Sequence, residues 1–267
     1  MNDSSSPQPE PLRRRDGPGR PLRPSRGWAL FLDVDGTLLH LADTPEAVEV
    51  GEHLRGVLRA LQPLLGGAVA LISGRRIEDL DRLFAPLKLP AAGLHGLEHR
   101  GADGRTRMLG DPGMLDSLRR PLAEFAAGHE GIMLEDKGRA LALHYRRAPE
   151  LAAPCRRLVA RLMARGGRGL VVIDGKMVLE IKPRLADKGE AVRSFLAEPP
   201  FAGRTPVFIG DDVTDEDAFL AVNALDGYSV RVGDYPNSKA RYRLADVDAV
   251  VAWLESLPRL LAGGDRP

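Results

Sequence analysis

Apolar and polar positions along most of the chain follow two alternating patterns. Unbroken apolar runs predict strands that are covered on both faces, and apolar residues at helical spacing predict the helices that cover them. The predicted strands are 28–32, 68–74, 91–96, 205–212 and 228–233. The predicted helices are 44–66, beginning at Thr44 and Pro45, then 76–87, 187–198, 215–225 and 246–261. Strands that alternate with helices indicate an α/β, Rossmann-like fold with a parallel sheet.

The pattern changes in the middle of the chain. Helices are predicted at 114–129 and 149–166, and each precedes a hairpin, at 131–147 and 169–183. The hairpin turns are predicted at Lys137-Gly138 and Asp174-Gly175. This αββαββ order indicates an α+β unit inserted into the parallel domain. We therefore expect a core formed by 28–105 and 184–262, and an inserted domain at 106–183.

Residues 1–27 are rich in proline, serine, arginine and glycine, which predicts a disordered tail. The arginines resemble the start of an export signal, but no small-residue cleavage site follows, so we expect none. The chain has one cysteine, Cys155, which excludes an intramolecular disulfide and is typical of a reducing compartment. A cytoplasmic protein is therefore expected.

The charges are almost balanced. The chain has 38 Lys and Arg residues, 37 Asp and Glu residues and a formal net charge of +1, so no overall field favours nucleic acid. No apolar run approaches the length of about 20 residues that spans a bilayer. We expect a monomer whose partner is a small molecule, with neither nucleic acid nor a membrane as a partner.

Three predicted strands end in polar residues that can do chemistry. The first is followed by Asp33-Val34-Asp35-Gly36-Thr37, the second ends in Ser73-Gly74-Arg75, and a later one ends in Gly210-Asp211-Asp212. The carboxyl ends of parallel strands share one edge of a sheet, where ligands bind. Lys188 begins the helix that precedes the third of these strands, and Asp215 follows that strand. We expect all these groups to meet.

Converging carboxylates repel one another unless a cation is present. Oxygen ligands without histidine or cysteine are suited to Mg²⁺, and a lysine and a serine hydroxyl beside them indicate a phosphate site. Aspartate is a known nucleophile for phosphoryl groups, and a second acid two residues on can transfer protons. An EF-hand is excluded because Gly36 stands fourth and Thr44 twelfth. Acids at a helix start can also simply favour its dipole, which suffices for Glu216 and Asp217.

Four segments resemble the motifs of the haloacid dehalogenase superfamily of phosphatases: DVDGTL (33–38), LISGR (71–75), DKG (187–189) and IGDDVTDEDAF (209–219). The resemblance implies that Asp33 is the nucleophile and Asp35 the general acid and base. It implies that Mg²⁺ is held by Asp33, the backbone carbonyl of Asp35 and Asp211. The implied phosphate holders are Ser73, Gly74 and Lys188, and the implied supporting residues are Thr37, Asp212 and Asp215.

The inserted unit lies where this superfamily carries a cap that closes over the site and selects the substrate. Its predicted strands mix acids and bases, which suits the hydroxyl groups of a sugar. Lys176 and Glu180 are four residues apart, so we expect them on one face of one strand. An exposed sheet face with mixed charges is the alternative explanation.

Further segments resemble trehalose-6-phosphate phosphatases: GLHGLE (93–98), EDKG with LALHYR (135–146) and KMVLEIKP (176–183). The resemblance implies a stand-alone enzyme that hydrolyses trehalose 6-phosphate, in trehalose biosynthesis, through an aspartyl-phosphate. It places Arg75 near the phosphate. The residues implied to bind the distal sugar are Glu135, Lys137, Arg146, Lys176 and Glu180. His95 and Glu98 are expected to shape the core beside the site.

Other functions stay open at this point. The same core would serve another sugar phosphatase, such as one acting on sucrose phosphate or a glycosyl-glycerate phosphate. A non-catalytic regulator that binds sugar phosphate is a different class of protein, although all the required acids are present. Nucleic-acid binding through the basic tail is a third hypothesis, and the balanced net charge argues against it.

Overall fold

A computed structural model describes residues 13–14, 22–41 and 48–263, and the described chain forms two sheets. The strands are β1 Arg13–Arg14, β2 Trp28–Leu32, β3 Val69–Ile72, β4 Ala91–Gly93, β5 Glu98–Arg100, β6 Thr106–Met108, β7 Met133–Asp136, β8 Leu141–His144, β9 Leu170–Gly175, β10 Val178–Pro183, β11 Thr205–Gly210, β12 Tyr228–Val232 and β13 Tyr242–Leu244. The helices are α1 Glu52–Leu64, α2 Ile77–Phe84, α3 Asp116–Ala127, α4 Ala152–Gly166, α5 Lys188–Leu196, α6 Glu216–Ala224 and α7 Val247–Gly263.

The large sheet has nine strands in the order β1-β13-β12-β11-β2-β3-β4-β5-β6. Its centre, from β13 to β4, is parallel, as the sequence predicts. Strand β2 lies between β11 and β3, so the carboxyl ends of these three strands are neighbours. The chain therefore brings its three polar strand ends to one place.

Strand β2 is fully buried because helices cover both faces of the sheet. Leu30 and Leu32 pack in the cluster that contains the apolar side chains of α1, α2 and α7. Ala29 and Phe31 point the other way, into the cluster with α5 and α6. An unbroken apolar run is thus the expected sequence of a strand covered on both faces.

The second sheet has four antiparallel strands in the order β7-β8-β10-β9. Helices α3 and α4 cover one of its faces, with Leu143 and Leu179 from the sheet packed against Leu122 and Leu158 from the helices. The alternate positions of the same strands are left for the opposite face. This sheet and the two helices together are the predicted inserted α+β unit, which we call the cap.

The outer parts of the large sheet correct the sequence analysis. Strands β5 and β6 extend it by antiparallel pairing, and β13 adds a further parallel strand; none of these was predicted. Because Thr106–Met108 pairs within the large sheet, residue 106 is too early a boundary for the insertion. The sequences EHR, TRM and YRL are too short and too polar to predict a strand.

Two local predictions also differ from the structure. Helix α1 begins at Glu52, so Val48–Gly51 is not helical, and the predicted start at Thr44 and Pro45 lies outside the described residues. In the second cap hairpin Gly175 pairs with Val178, which makes Lys176-Met177 the turn. The predicted turn at Asp174-Gly175 is therefore wrong by two residues.

The predicted tail, residues 1–27, lies largely outside the described residues. Within its described part, β1 pairs antiparallel with β13, which the sequence did not predict. Among the helices of the described chain, none combines the length and the apolar character that a membrane crossing requires.

Candidate active site

A buried lysine between two aspartates forms the centre of the site. Asp33 follows β2, Lys188 begins α5, and Asp215 lies in the turn after β11. The Lys188 Nζ donates to Asp33 Oδ1 at 2.7 Å and to Asp215 Oδ1 at 2.6 Å. All three side chains are at most 5% exposed. The sequence prediction that these groups converge is confirmed.

Asp211, which follows β11, completes a cluster of acids around Asp33. Carboxylate oxygens of Asp33, Asp211 and Asp215 lie within 4.8 Å of one another. The Thr37 hydroxyl donates to Asp211 Oδ1 at 3.3 Å, and Gly36 lies so close that an added Cβ would be 2.2 Å from Asp211 Oδ2. Tight packing thus fixes the position of the Asp211 carboxylate.

The protonation of this cluster follows from its burial. Burial and the nearby Asp215 and Asp211 raise the pKa of Asp33 well above its usual value, although Lys188 acts in the opposite direction. Burial would lower the pKa of Lys188, but Asp215 and Asp33 raise it, so the lysine stays charged. Lys188 and the cap residue Lys176, whose Nζ contacts Asp211, supply two ammonium groups for three carboxyl groups.

A hard divalent cation fits this donor set, because every candidate ligand is an oxygen. Both oxygens of Asp215 already accept hydrogen bonds, from Lys188 and from the backbone N–H of Asp212 at 2.8 Å. Both oxygens of Asp211 also accept, from Thr37 and from Lys176, but Lys176 is a half-exposed cap residue that a cation can replace, whereas both donors to Asp215 belong to the core. Asp33 and Asp211, the ligands that the resemblance implied, are therefore the more accessible carboxylates. Asp212 caps the turn that holds Asp215, so both act as supports.

The loop after β3 lies beside Asp33. Ser73 is buried, and its hydroxyl accepts from the Arg75 backbone N–H at 3.1 Å. The Arg75 guanidinium holds Asp35 with two bonds of 2.7 Å, from Nε to Oδ2 and from Nη2 to Oδ1. A pair of this kind is strong and fixes both side chains. Sequence reasoning placed Arg75 on the phosphate and did not predict this ion pair.

The cap lies over the site, and one cavity of ≈ 710 Å³ is lined by both domains. The core lining includes Asp33, Ser73, Gly74, Arg75, Lys188, Asp211 and Asp212. The cap lining includes all five residues predicted to bind the sugar, which are Glu135, Lys137, Arg146, Lys176 and Glu180.

The pairing of the cap strands explains which residues face the cavity. Glu135 on β7 and Glu180 on β10 both lie opposite Ala142 of the strand between them. Lys137 Nζ lies 3.2 Å from Glu180 Oε2 and 4.0 Å from Glu135 Oε2. Burial opposes these charges, yet the Lys137 pKa is raised and the Glu180 pKa is lowered, since each stabilises the other.

Two predicted sugar contacts differ from expectation. Lys176 lies in the hairpin turn and does not share a strand face with Glu180; its Nζ reaches across to Asp211 Oδ2 at 2.5 Å. Arg146 lies beyond the end of β8 and is half-buried, with an Nη2 that donates to the carbonyl oxygen of Lys176 at 3.4 Å. The two-residue shift of the turn is the cause of the first error.

Two residues that sequence reasoning left out of the site also contribute. His144, at the end of β8, has its Nε2 3.0 Å from Glu135 Oε2, and this contact holds the Glu135 pKa below its usual value against the effect of burial. Arg231 on β12 donates to the carbonyl oxygen of Asp212 at 2.9 Å. Alternate residues of a strand share a face, so the position of His144 two residues after Ala142 could have identified it. No sequence pattern pointed to Arg231.

The fold and the site together define the class of protein. A parallel α/β core with an inserted cap, an aspartate after its central strand and a buried lysine beside it is the haloacid dehalogenase fold, and the likeness in fold to solved structures agrees with this. Residues 31–248 match the trehalose-phosphatase family.

Individual relatives agree with that match. The chain is 44% identical over 234 residues to a probable trehalose-phosphate phosphatase of Sinorhizobium fredii, covering 87% of this chain and 88% of the relative. It is 41% identical over 241 residues to the trehalose-6-phosphate phosphatase of Escherichia coli, covering 89% of each. The C-terminal domain of the C. albicans trehalose-6-phosphate phosphatase superposes with a TM-score of 0.79 at 23% identity, covering 89% and 93%. The chain belongs to the trehalose-phosphatase family.

The contact between Gly36 and Asp211 gives a prediction about cation binding. Gly36→Ala should displace the Asp211 carboxylate, because the new Cβ has no room, and should abolish Mg²⁺ binding measured by calorimetry. The matched control is Gly104→Ala, which has a similar φ of +77° against +82° but open space around it. The control should lose only about 1–2 kcal/mol of stability from its backbone conformation. Equal Mg²⁺ affinity in the two variants would contradict the fit of the site.

Proposed function

We propose that this protein is a Mg²⁺-dependent phosphatase that hydrolyses trehalose 6-phosphate to trehalose and phosphate. The observation that carries the proposal is a single cavity that joins two sets of residues. At its core end Asp33, Ser73 and Lys188 form a phosphoryl-transfer site. At its cap end Glu135 and Glu180 lie on either side of Ala142, on a sheet that faces that site. Family membership and the names of the relatives support the same reaction.

The reaction begins with attack by a carboxylate oxygen of Asp33 on phosphorus. The bond from phosphorus to the sugar oxygen breaks, and Asp35 gives that oxygen a proton. Asp35 then takes a proton from water, whose oxygen attacks the aspartyl-phosphate and regenerates Asp33. Lys188 and Ser73 hold the phosphate oxygens throughout. Mg²⁺, held by Asp33, Asp211 and the Asp35 carbonyl, would neutralise charge at the attacked phosphate.

The ion pair between Arg75 and Asp35 affects the proton transfer. Both oxygens of Asp35 accept from Arg75, so Asp35 has to turn away from at least one of these bonds to direct an oxygen at the leaving group. The phosphate of the substrate is an alternative partner for the guanidinium. Arrival of the substrate would therefore free the acid that the reaction needs.

The cap residues suit a sugar better than a second charged group. Glu135 and Glu180 accept hydrogen bonds from hydroxyls, and Lys137 donates to them. Ala142 between the two glutamates has a small side chain, which leaves room for a ring above the sheet. The two carboxylates, which line the same cavity, would repel an anionic group on the distal part of a substrate.

Phosphate release tests the proposed function. The purified protein should release phosphate from trehalose 6-phosphate much faster than from sucrose phosphate or glucosyl-glycerate phosphate, and excess chelator should stop the release until Mg²⁺ is restored. Release from none of these esters, together with tight binding of one of them, would identify a regulator instead. Faster release from one of the other two esters would reassign the substrate.

The nucleophile is tested by Asp33→Asn. Because the amide cannot attack phosphorus, turnover should fall by about 1,000-fold or more. Asp248→Asn, at an exposed position of α7, is the matched control and should keep full activity. Acid-quenched wild-type protein should carry covalent phosphate on the peptide that contains Asp33, detected by mass spectrometry. Retained turnover in Asp33→Asn would exclude this residue as the nucleophile.

The role of the cap is tested by Glu180→Ala. Loss of hydrogen bonds to a charged group should lower kcat/KM for trehalose 6-phosphate by about 10- to 100-fold. Hydrolysis of p-nitrophenyl phosphate, which has no sugar to reach the cap, should change by no more than about twofold. Equal losses on the two substrates would show that Glu180 does not select the sugar.

A further inference from the structure

The turn after β4 has an unusual backbone. Leu94, His95 and Gly96 have φ angles of 49°, 54° and 100°, so three successive residues are left-handed. This conformation is unfavourable for residues other than glycine, and leucine is a poor residue for it. Backbone of this kind persists where the surrounding structure over-determines it, which occurs most often at functional sites.

Hydrogen bonds join this turn to the phosphate loop, which we define as Ser73-Gly74-Arg75. The His95 N–H donates to the Ser73 carbonyl at 3.0 Å, and the Leu94 N–H donates to the Arg75 carbonyl at 2.9 Å. Between them, the Gly74 carbonyl accepts from Lys137 Nζ of the cap at 3.0 Å. The turn and the cap thus hold all three carbonyls of the phosphate loop.

The His95 ring packs directly on the phosphate loop. A Cβ added to Gly74 would lie 2.7 Å from His95 Nε2, so the ring occupies the space of a side chain there. Glu98, just after the turn, accepts from the Ile77 N–H at 2.6 Å and fixes the start of the helix that follows the loop. The turn therefore supports the loop from both of its ends.

The same imidazole faces the cap. His95 Nε2 lies 3.4 Å from Glu180 Oε1, and both side chains are at most 10% exposed. Burial lowers the pKa of His95, so the ring is neutral near pH 7 and carries one N–H. Because Glu180 can only accept, a hydrogen on Nε2 would face Oε1 and Nδ1 would be an acceptor; at 3.4 Å the two atoms are in polar contact but do not form a hydrogen bond.

Among the described residues, neither His95 Nδ1 nor Glu180 Oε1 makes a hydrogen bond, although both atoms are buried. A buried acceptor without a partner is unfavourable, as is the left-handed backbone. Neither feature stabilises the fold. Both belong to His95, whose ring lies between the Glu180 carboxylate of the cap and the phosphate loop.

We propose that His95 is a positioning residue that couples closure of the cap to the phosphate loop, by holding Glu180 against the backbone of Ser73 and Gly74. The inference rests on the proposed function, in which Glu180 binds the sugar and Ser73 the phosphate. The contacts of His95 with Glu180 and with the phosphate loop would fix the distance between the sugar end and the phosphate end of the site. Substrates that reach Glu180 depend on His95, and small esters do not.

The test compares three substitutions on two substrates. His95→Asn tolerates the left-handed backbone but is too short to reach Glu180. It should lower kcat/KM for trehalose 6-phosphate by about 10- to 100-fold and leave p-nitrophenyl phosphate within about twofold. His95→Gln, whose amide reaches as far as Nε2, should restore part of the loss. His53→Gln, on an exposed face of α1, is the control.

A double-mutant cycle examines the pair itself. Combining His95→Asn with Glu180→Gln should cost little more than either change alone, because the two act through one contact. Additive losses would overturn the inference. So would equal losses on both substrates in His95→Asn, which would give the ring a purely structural role.

A second measurement requires neither a substitution at His95 nor an activity assay. Hydrogen exchange followed by mass spectrometry compares wild-type protein with Glu180→Ala. If the cap acts on the loop through His95, amides of peptides covering 73–75 and 94–96 should exchange faster in the variant. Unchanged exchange in these peptides would overturn the coupling. Failure of the wild type to hydrolyse trehalose 6-phosphate would overturn the proposed function alone, since the exchange result is independent of it.

Discussion

The ion pairs of Lys188 with Asp33 and Asp215 constrain the rest of the structure. Three charged groups at most 5% exposed are stable only if each stays within bonding distance of a partner, because a single unpaired charge there is costly. The three come from a strand end, a helix start and a turn. The strand order that makes β2 the neighbour of β11 is what allows them to meet.

Glycines show how closely the backbone is fitted around these charges. A Cβ on Gly189 would lie 2.5 Å from the Asp217 carbonyl oxygen, and one on Gly210 would lie 2.3 Å from Asp215 Cγ. The α5 helix and the turn after β11 could not approach with larger residues. The close approach places Lys188 between its two carboxylates.

Sequence reasoning predicted the central strands and the convergence of their ends, because burial on both faces and motif spacing are local properties. It could not find contacts that depend on the register of distant segments. Arg75 and Asp35 are 40 residues apart and their pairing follows from the order of β2 and β3. Lys176 was placed on a strand because Asp174-Gly175 is a common turn sequence, whereas pairing of Gly175 with Val178 puts the turn later. The edge strands β5 and β6 were missed because short polar strands carry no periodic pattern.

Charge also explains why the cap rests where it does. Lys137 and Lys176 of the cap donate to a core carbonyl and to Asp211, so the cap brings positive charge to a core site that holds an excess of carboxylates. A bound cation and a phosphate dianion would change that balance: the cation would compete with Lys176 for Asp211, and the phosphate would attract the lysines. Lys137 and His95, the two neighbours of Glu180, do not contact the carboxylate cluster in this structure, so the contacts of Glu180 are separate from the contact at Asp211. The contact of the cap at Asp211 can therefore be replaced without directly breaking its contact at His95.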